Sequence, residues 1–281
     1  MALGVGMYCA QGRIQCDAKR GDPLLGAPGD EAAACRFWSI PVRVPSIQPE
    51  RAPLTFPASL PSRLPTRRHA PLPMITLYDH PRSGNCYKVR LFLSLINLPY
   101  RREFIDVLAR KNQTDAFERI SAWRQVPAID DDGLAVWDSH AILIYLAQKH
   151  APQWLAPLPH SAQMVSWISV SANEIANSLQ PLRLTKVVSL AEAAHHLGVS
   201  EAMLDVQGLQ QRTDRLLKLI EKRLGASPWL ATVPSVADIA CYGYLALAEE
   251  AEIDVNAYPA ISAWRRRIEA LPGYVAPGQV T

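Results

Sequence analysis

Residues 125–145 read QVPAIDDDGLAVWDSHAILIY, and this stretch indicates the fold more clearly than any other part of the chain. Residues 128–130 and 134–137 are short and apolar, as strands are, and Asp-Gly between them favours the backbone conformation of a tight hairpin turn. An apolar segment with helical spacing follows from 139 to about 150. The order strand, turn, strand, helix predicts one half of a small α+β domain.

Groups around this hairpin suit an extended peptide as ligand. Proline lacks an N–H and tolerates the cis bond, so Pro127 at the start of a strand can turn the N–H and C=O of Val126 outward. A peptide can then pair with Val126 as an added strand. Asp138 offers a carboxylate to a ligand amine, and Ser139 at a helix N-terminus suits a ligand carboxylate. An amine and a carboxylate together describe an amino-acid head group.

The residues before the hairpin predict a strand–helix–strand unit. Residues 75–79 and 101–106 are the strands, and a segment at 112–121 predicts a short or irregular helix. Between the strands, apolar residues at helical spacing form one stripe: Val89, Phe92, Leu93 and Ile96. A unit of this length implies a parallel pair with a right-handed crossover. With the hairpin added, the expected fold is α+β with a four-stranded mixed sheet.

Taken together, these motifs resemble the cytosolic glutathione S-transferases over about residues 74–274. Residues 74–106, MITLYDHPRSGNCYKVRLFLSLINLPYRREFID, are similar to the family's opening strand, catalytic turn, first helix and second strand. The resemblance is to the bacterial-type, Ser-class members, which are theta- and delta-like. It implies a thioredoxin-like N-terminal domain followed by an all-α C-terminal domain.

Composition divides the chain into three parts. Residues 1–73 hold 11 of the 23 prolines, which predicts a disordered, Pro-rich extension. Residues 74–151 are the expected glutathione-binding domain, and three prolines after it mark a linker. Residues 160–275 are the expected helical domain. Its helical periods lie at 161–188, 200–224, 235–250 and 260–271.

One helix start in that domain is marked by a capping box. Ser235 and Asp238 have the Ser-x-x-acid spacing, with Asp in place of the usual Glu or Gln. The motif resembles a folding motif of the family's C-terminal domain, so its expected role is structural.

Charge and cysteine usage narrow the functional classes. The net charge is +3, but residues 1–73 carry nine Lys/Arg against five Asp/Glu, which leaves 20 against 21 in the rest. A nearly neutral domain gives no electrostatic reason to expect a nucleic acid partner. No stretch reaches the roughly 18 apolar residues of a membrane span. Five cysteines without paired spacing favour free thiols in a reducing cytoplasm, and we expect no metal and no cofactor.

Ser83 is the predicted catalytic residue. A hydroxyl just before a helix can donate to a thiolate and lower the thiol pKa. A shift of one or two units requires only about 1.4–2.7 kcal/mol, which a charged hydrogen bond and a helix end can supply. An isolated Ser before a helix is otherwise an N-cap. The Val-Pro and Asp-Ser elements favour the catalytic interpretation, and the resemblance places the family's catalytic Ser at this position.

Three nearby residues are alternatives to Ser83. Cys86 could exchange thiols with glutathione, which would make the protein a reductase or peroxidase. However, Cys86 lies on the apolar stripe of its helix, so a buried packing role is favoured. Tyr78 lies within a strand and Tyr87 within the helix, and neither matches the tyrosine-type classes.

The resemblance implies further ligand contacts and partners. Gln125 matches a position that holds the glycine end of glutathione, and Asn112 falls where theta-like enzymes often have a histidine for the same carboxylate. Arg124 could supply positive charge there, although an exposed arginine is the favoured interpretation. The implied function is conjugation of glutathione, as co-substrate, to a small hydrophobic electrophile by a homodimeric detoxification enzyme. A non-catalytic binding module on the same fold is the alternative outside enzymes.

Overall fold

A mixed four-stranded sheet forms the first half of the described chain, which comprises residues 74–107 and 109–279 of a computed structural model. The strand order is β2-β1-β3-β4. The strands are β1 (Ile75–Asp79), β2 (Tyr100–Phe104), β3 (Ala128–Asp131) and β4 (Leu134–Trp137). Strand β1 pairs parallel with β2, and β3 pairs antiparallel with β1 and with β4. The predicted α+β fold with its mixed sheet is confirmed.

The hairpin turn between β3 and β4 has the predicted chemistry. Asp132 and Gly133 have φ angles of 55° and 88°. Two consecutive positive φ values are what a two-residue hairpin loop requires, and Asp-Gly adopts them at low cost. This turn fixes the register in which Ala128 pairs with Trp137 and Ile129 with Val136.

Three helices accompany the sheet. They are α1 (Gly84–Leu95), the short α2 (Asp115–Glu118) and α3 (Ser139–His150). Three residues of the apolar stripe predicted for α1, Val89, Phe92 and Leu93, have no exposed surface, whereas the fourth, Ile96, is the C-cap and is only partly buried. Strand β2 was predicted at 101–106. It begins one residue earlier, at Tyr100, and ends two residues earlier, at Phe104.

The second half of the described chain is helical. Its α-helices are α4 (Ser161–Val170), α5 (Leu179–Val187), α6 (Leu190–Leu197), α7 (Val206–Ala226), α8 (Val236–Leu245) and α9 (Pro259–Glu269). The prediction of one helix over 161–188 is wrong. A π-helical turn (Ser171–Ile175) follows α4, and Ser178 leaves the helical conformation before α5 begins. Pro181 explains the break, because proline has no N–H to continue the helical hydrogen bonds of the preceding turn.

Other helix bounds also differ from the prediction, and α8 ends at Leu245 instead of residue 250. Helix α6 was not predicted, although Ser189 and Glu192 form a complete capping box at its start and Gly198 ends it at φ 71°. The segment 200–224 was predicted as one helix, but α7 starts only at Val206, where the Asp205 side chain caps it. Short polar helices of this kind are defined by their caps more than by an apolar period.

Helices α1 and α8 pack closely because glycines lie at their contact. A Cβ on Gly84 would lie 2.9 Å from the Tyr244 ring, and a Cβ on Gly243 would overlap the Lys88 side chain. This contact joins the sheet half to the helical half beside the N-terminus of α1. The start of α8 also has the predicted capping box, in which Asp238 Oδ2 accepts from the Ser235 N–H at 3.0 Å.

Residues 1–73, and with them the expected disorder of the Pro-rich extension, lie outside the described residues. The domain limits 74–151 and 160–275 stay predictions. None of the helices in the described ranges has the length and apolarity needed to cross a bilayer.

Candidate functional site

A cavity of about 410 Å³ lies where the N-termini of α1 and α3 approach the segment that leads into β3. Its volume falls within the range of small-ligand sites. The lining residues come from both helix starts, from the segment before β3 and from the end of β4: Asn85, Ser121, Trp123, Gln125, Val126, Pro127, Trp137, Asp138 and Ser139. Five of the seven residues predicted from the sequence are in this set, and Ser83 and Asn112 are not.

Val126 presents free backbone to the cavity. It lies just outside β3, and within the described part of the chain its N–H and C=O take part in none of the loop or cap hydrogen bonds. Pro127 is buried beside it, and the peptide bond between them is cis. An extended ligand can therefore pair with Val126 in the way an edge strand does.

Asp138 is the N-cap of α3. Its Oδ1 accepts hydrogen bonds from the backbone N–H groups of His140 (2.9 Å) and Ala141 (3.1 Å). Burial tends to raise the pKa of this carboxyl, but the hydrogen bonds from His140 and Ala141 outweigh burial and lower the pKa to about 2. About half of the side chain is exposed. The cavity wall therefore carries a full negative charge at neutral pH, which suits a ligand amine.

Ser139 follows as the first residue of α3 and is 3% exposed. The N–H groups of His140 and Ala141 donate to Asp138, which leaves the N–H and hydroxyl of Ser139, at the positive end of the helix dipole, to suit an anion. A carboxylate and a helix N-terminus thus lie side by side on one wall, as the sequence predicts for an amino-acid head group.

Ser83 caps α1 in the same way. Its Oγ accepts from the N–H of Cys86 at 3.2 Å, and the side chain is partly buried. A hydroxyl that accepts through a lone pair keeps its own hydrogen free to donate. The capping role that was the alternative interpretation of Ser83 is therefore present, and the capping bond itself does not use the hydroxyl hydrogen.

Comparisons with known proteins agree with this geometry. A family profile described as the N-terminal domain of glutathione S-transferase matches residues 73–148, and one for the C-terminal domain matches 179–272. The chain belongs to the glutathione S-transferase family. The two matches include the sheet half, which carries the cavity, and most of the helical half.

Individual family relatives differ in their named activities. The chain is 32% identical over 209 residues to the disulfide-bond oxidoreductase YfcG of Escherichia coli K12, covering 71% of this chain and 92% of that one. It is 27% identical to mouse maleylacetoacetate isomerase, covering 69% and 88%. The crystal structure of a glutathione S-transferase from Pseudomonas fluorescens Pf-5 superimposes with a TM-score of 0.62 at 30% identity, covering 72% and 98%.

Cys86 is unsuited to thiolate chemistry in this family member. The residue has no exposed surface, and its Sγ accepts a hydrogen bond from the N–H of His80 at 3.4 Å. Burial raises the pKa of the thiol to about 12. A thiolate is the reactive form of cysteine, so the packing role favoured from the sequence fits these surroundings.

The two tyrosines near the catalytic turn also have other partners. The hydroxyl of Tyr87 donates to the Val275 carbonyl at 2.9 Å. The Tyr78 ring packs edge-on against Phe117. Neither tyrosine lines the cavity, which agrees with their dismissal from the sequence.

The structure places Asn112 away from the cavity. Asn112 is 9% exposed, and its Nδ2 donates to the Arg124 carbonyl at 2.6 Å. The Arg124 guanidinium is paired with Asp115 (3.1 Å) and Glu118 (2.7 Å) of α2. Both side chains therefore support the loop before Gln125. The resemblance to the family implied their positions along the chain but not the direction in which each side chain points.

Four lining residues were not predicted: Asn85, Ser121, Trp123 and Trp137. Trp123 is 71% exposed and Trp137 38% exposed. An exposed Trp within a polar loop is itself a signal for a binding surface, since large aromatic side chains on a surface mark recognition sites. Asn85 carries no such signal, because the orientation of its side chain depends on its hydrogen bond with the buried Lys88.

Proposed function

We propose that this protein is a glutathione transferase that binds glutathione in the cavity between the starts of α1 and α3. The observation that supports this most strongly is that Val126, Asp138 and Ser139 line one cavity with complementary chemistry. Asp138 takes the γ-glutamyl amine, the N-terminus of α3 takes the adjacent carboxylate, and Val126 pairs with the peptide backbone of the ligand. Gln125 extends the contact toward the glycine end.

The conjugation reaction then requires only that the glutathione sulfur is ionised and correctly positioned. The thiol proton leaves to solvent, and the O–H of Ser83 donates to the thiolate next to the positive end of α1. The sulfur lone pair forms a C–S bond with an electrophilic carbon, while the leaving group departs with the bonding electrons. Positioning and thiolate stabilisation supply the rate enhancement, so the reaction needs no electron carrier. The proposal includes a homodimer, a cytoplasmic location, a role in detoxification and a small hydrophobic electrophile.

A second candidate is glutathione-dependent reduction of a disulfide. It is favoured by the 32% identity to a protein named as a disulfide-bond oxidoreductase. Since Cys86 is buried with a raised pKa, the attacking sulfur in such a reaction would be that of bound glutathione. It would form a mixed disulfide and release one thiolate, and a second glutathione would then release the other thiolate and leave oxidised glutathione.

One experiment separates these functions. The full chain is tested for retention on immobilised glutathione, and then for turnover of an activated aryl halide and of a small disulfide with glutathione as co-substrate. Turnover of the aryl halide supports the transferase, whereas turnover of the disulfide alone supports the reductase. Retention without turnover of either substrate would support a binding module. A chain that is not retained would contradict the assignment of the cavity.

A further inference from the structure

A lysine is buried directly behind the cavity. Lys88 of α1 is 1% exposed, although an ammonium group loses much hydration free energy when it is buried. Its Nζ lies 2.9 Å from Asn85 Oδ1, 3.2 Å from His140 Nε2 and 3.2 Å from Ser171 Oγ. An ammonium has three donors, and here each has one acceptor.

The lysine determines the orientation of the Asn85 amide. A lysine ammonium only donates, so the group of Asn85 that faces it at 2.9 Å must be the carbonyl oxygen. Asn85 also lines the cavity. The amide nitrogen is the polar atom of this side chain that Lys88 leaves unused, and its hydrogens can be offered to an electron-rich atom of a ligand.

The same lysine determines the tautomer of His140. Burial lowers the pKa of His140, so the ring is neutral at pH 7. Nε2 lies 3.2 Å from Lys88 Nζ and 3.0 Å from Ser171 Oγ. Because the ammonium only donates, Nε2 accepts from Lys88, and the ring proton is on Nδ1, which lies 3.5 Å from Asp138 Oδ1. Asp138, His140, Lys88 and Asn85 thus form a continuous polar path, and the two ends of that path line the cavity.

The position of Lys88 is fixed by its surroundings. The Tyr244 ring centroid lies 5.5 Å from Nζ, and the absence of a side chain on Gly243 makes room for the lysine stem. On the helical side, the Ser171 hydroxyl accepts from Lys88 and donates to the Ala240 carbonyl at 2.7 Å. A side chain enclosed in this way cannot turn away from Asn85.

Lys88 keeps its proton at neutral pH. Burial lowers its pKa to about 8, against the opposing effects of Cys241 and Asp138. The groups that face it are Asn85 on α1, Asp138 and His140 on α3, Ser171 on the π-helical turn, and Cys241 and Tyr244 on α8. The ammonium therefore also places positive charge behind the start of α1.

We propose that Lys88 is a positioning residue of this site, which orients Asn85 so that its amide hydrogens face the cavity and favour an anionic ligand atom there. The inference rests on the proposed function, under which that atom is the glutathione thiolate. Lys88 itself touches no ligand. It acts through Asn85 on one side and through His140 and Asp138 on the other.

The test compares full-length wild type with Lys88→Met, which keeps an unbranched side chain only one heavy atom shorter and removes its three donors. The readouts are the pH midpoint of bound-glutathione ionisation, followed by thiolate absorbance, and kcat and KM for an activated aryl halide. We expect the midpoint to rise by about one unit. At a pH well below both midpoints kcat should fall by up to about tenfold, since there one unit of pKa is a tenfold change in the thiolate fraction. KM for glutathione should change less than twofold.

Ser171→Ala is the matched control, because it removes the Ser171 contacts with Lys88 and His140 on the helical side and leaves the contact between Lys88 and Asn85 in place. The midpoint should then stay at the wild-type value. An equal shift in Ser171→Ala would show that general loosening of the packing causes the effect, and would overturn the inference.

If Lys88→Met does not fold, Asn85→Asp tests the same step. The carboxylate can still accept from Lys88 but offers no hydrogen to the cavity, so the midpoint should rise at least as far. An unchanged midpoint in a folded variant, with normal glutathione binding by wild type, overturns the inference alone. Failure of wild type to bind glutathione overturns the proposed function and the inference with it.

Discussion

Replacing Asp138 with Asn separates the two roles of this carboxylate. As the N-cap of α3, Oδ1 accepts from two backbone N–H groups, and an Asn carbonyl oxygen can accept the same two bonds. Asn also tolerates the φ of 71° at this position. The free energy of unfolding at pH 7 should therefore change by less than about 0.5 kcal/mol, because Asn and Asp are nearly equal as caps.

Affinity for glutathione should fall, because the variant has no charge to pair with the γ-glutamyl amine. A hydrogen bond to a charged group contributes about 1.5–3 kcal/mol. The Asp138 side chain is 51% exposed, so solvent screening places the expected loss at the lower end of that range. The dissociation constant should rise about tenfold, as follows from about 1.4 kcal/mol per factor of ten.

Calorimetry with glutathione, paired with thermal unfolding, measures both effects. A glutathione analogue that lacks the α-amino group is the matched ligand control, and it should bind wild type and Asp138→Asn equally. Asp138→Ala should lose about 1–2 kcal/mol of stability in addition to affinity, because the cap is lost. Equal binding of glutathione by wild type and Asp138→Asn would refute the assignment of the head group to this wall.

Four further predictions concern other parts of the chain. Ser83→Ala should raise the pH midpoint of bound-glutathione ionisation and slow conjugation near pH 7. The free energy of unfolding should fall by about 1 kcal/mol, because Oγ caps α1. An unchanged midpoint and an unchanged conjugation rate would mean that Ser83 acts only as a helix cap. Cys86→Ser should keep conjugation while losing about 1–3 kcal/mol of stability, since a hydroxyl would enter a fully buried site; abolished activity would favour the thiol-exchange reaction. Asp238→Ala should lower the free energy of unfolding, measured by chemical denaturation, by about 3–5 kcal/mol. The change leaves the buried N–H donors of Leu230, Trp264 and Ser235 without their acceptor. A loss below about 1 kcal/mol would contradict a structural role for Asp238. A chain that begins at Met74 should match the full chain in melting temperature and glutathione affinity, and a marked fall in either would show that residues 1–73 contribute.

The pH dependence of Asp138 gives an independent check on its capping role. Its pKa is lowered to about 2 in the folded protein, from an ordinary value of 3.8. An acid with a lowered pKa stabilises the fold above its unfolded pKa and loses that contribution as the pH falls from about 4 to 2. After allowance for exposure, the loss should be about 1 kcal/mol, and Asp138→Asn should lack it. Parallel stability curves for the two proteins between pH 5 and 2 would contradict the low pKa.

Local signals in the sequence were sufficient for most of the sheet half. The Asp132-Gly133 turn, the strand Ile75–Asp79 and the stripe of α1 depend on neighbours within a few residues, and all three are as predicted. The helical half was predicted less well. The break before α5 was overlooked although Pro181 marks it, and α6 was overlooked although its capping box is complete.

The predicted site residues that line the cavity are those whose direction the backbone itself determines. Val126, Asp138 and Ser139 lie at the ends of a strand and of a helix, so the direction of their groups follows from the elements. Asn112 lies in an irregular segment, where direction depends on packing, and its side chain turns to the Arg124 carbonyl instead. Asn85 could not be recognised from sequence, since an Asn in a first helical turn is common.

The sequence by itself determined the order of the four strands, the family and the positions of the groups proposed to bind a peptide, because each of these follows from short-range pattern and turn chemistry. Only the tertiary structure decided the charge states and the orientation of side chains. Burial lowers the pKa of Lys88 and raises that of Cys86, and the partners of Lys88 include residues 52 and 83 positions away in the chain. Desolvation and through-space hydrogen bonds depend on which elements pack together, and no local pattern in the sequence encodes that packing.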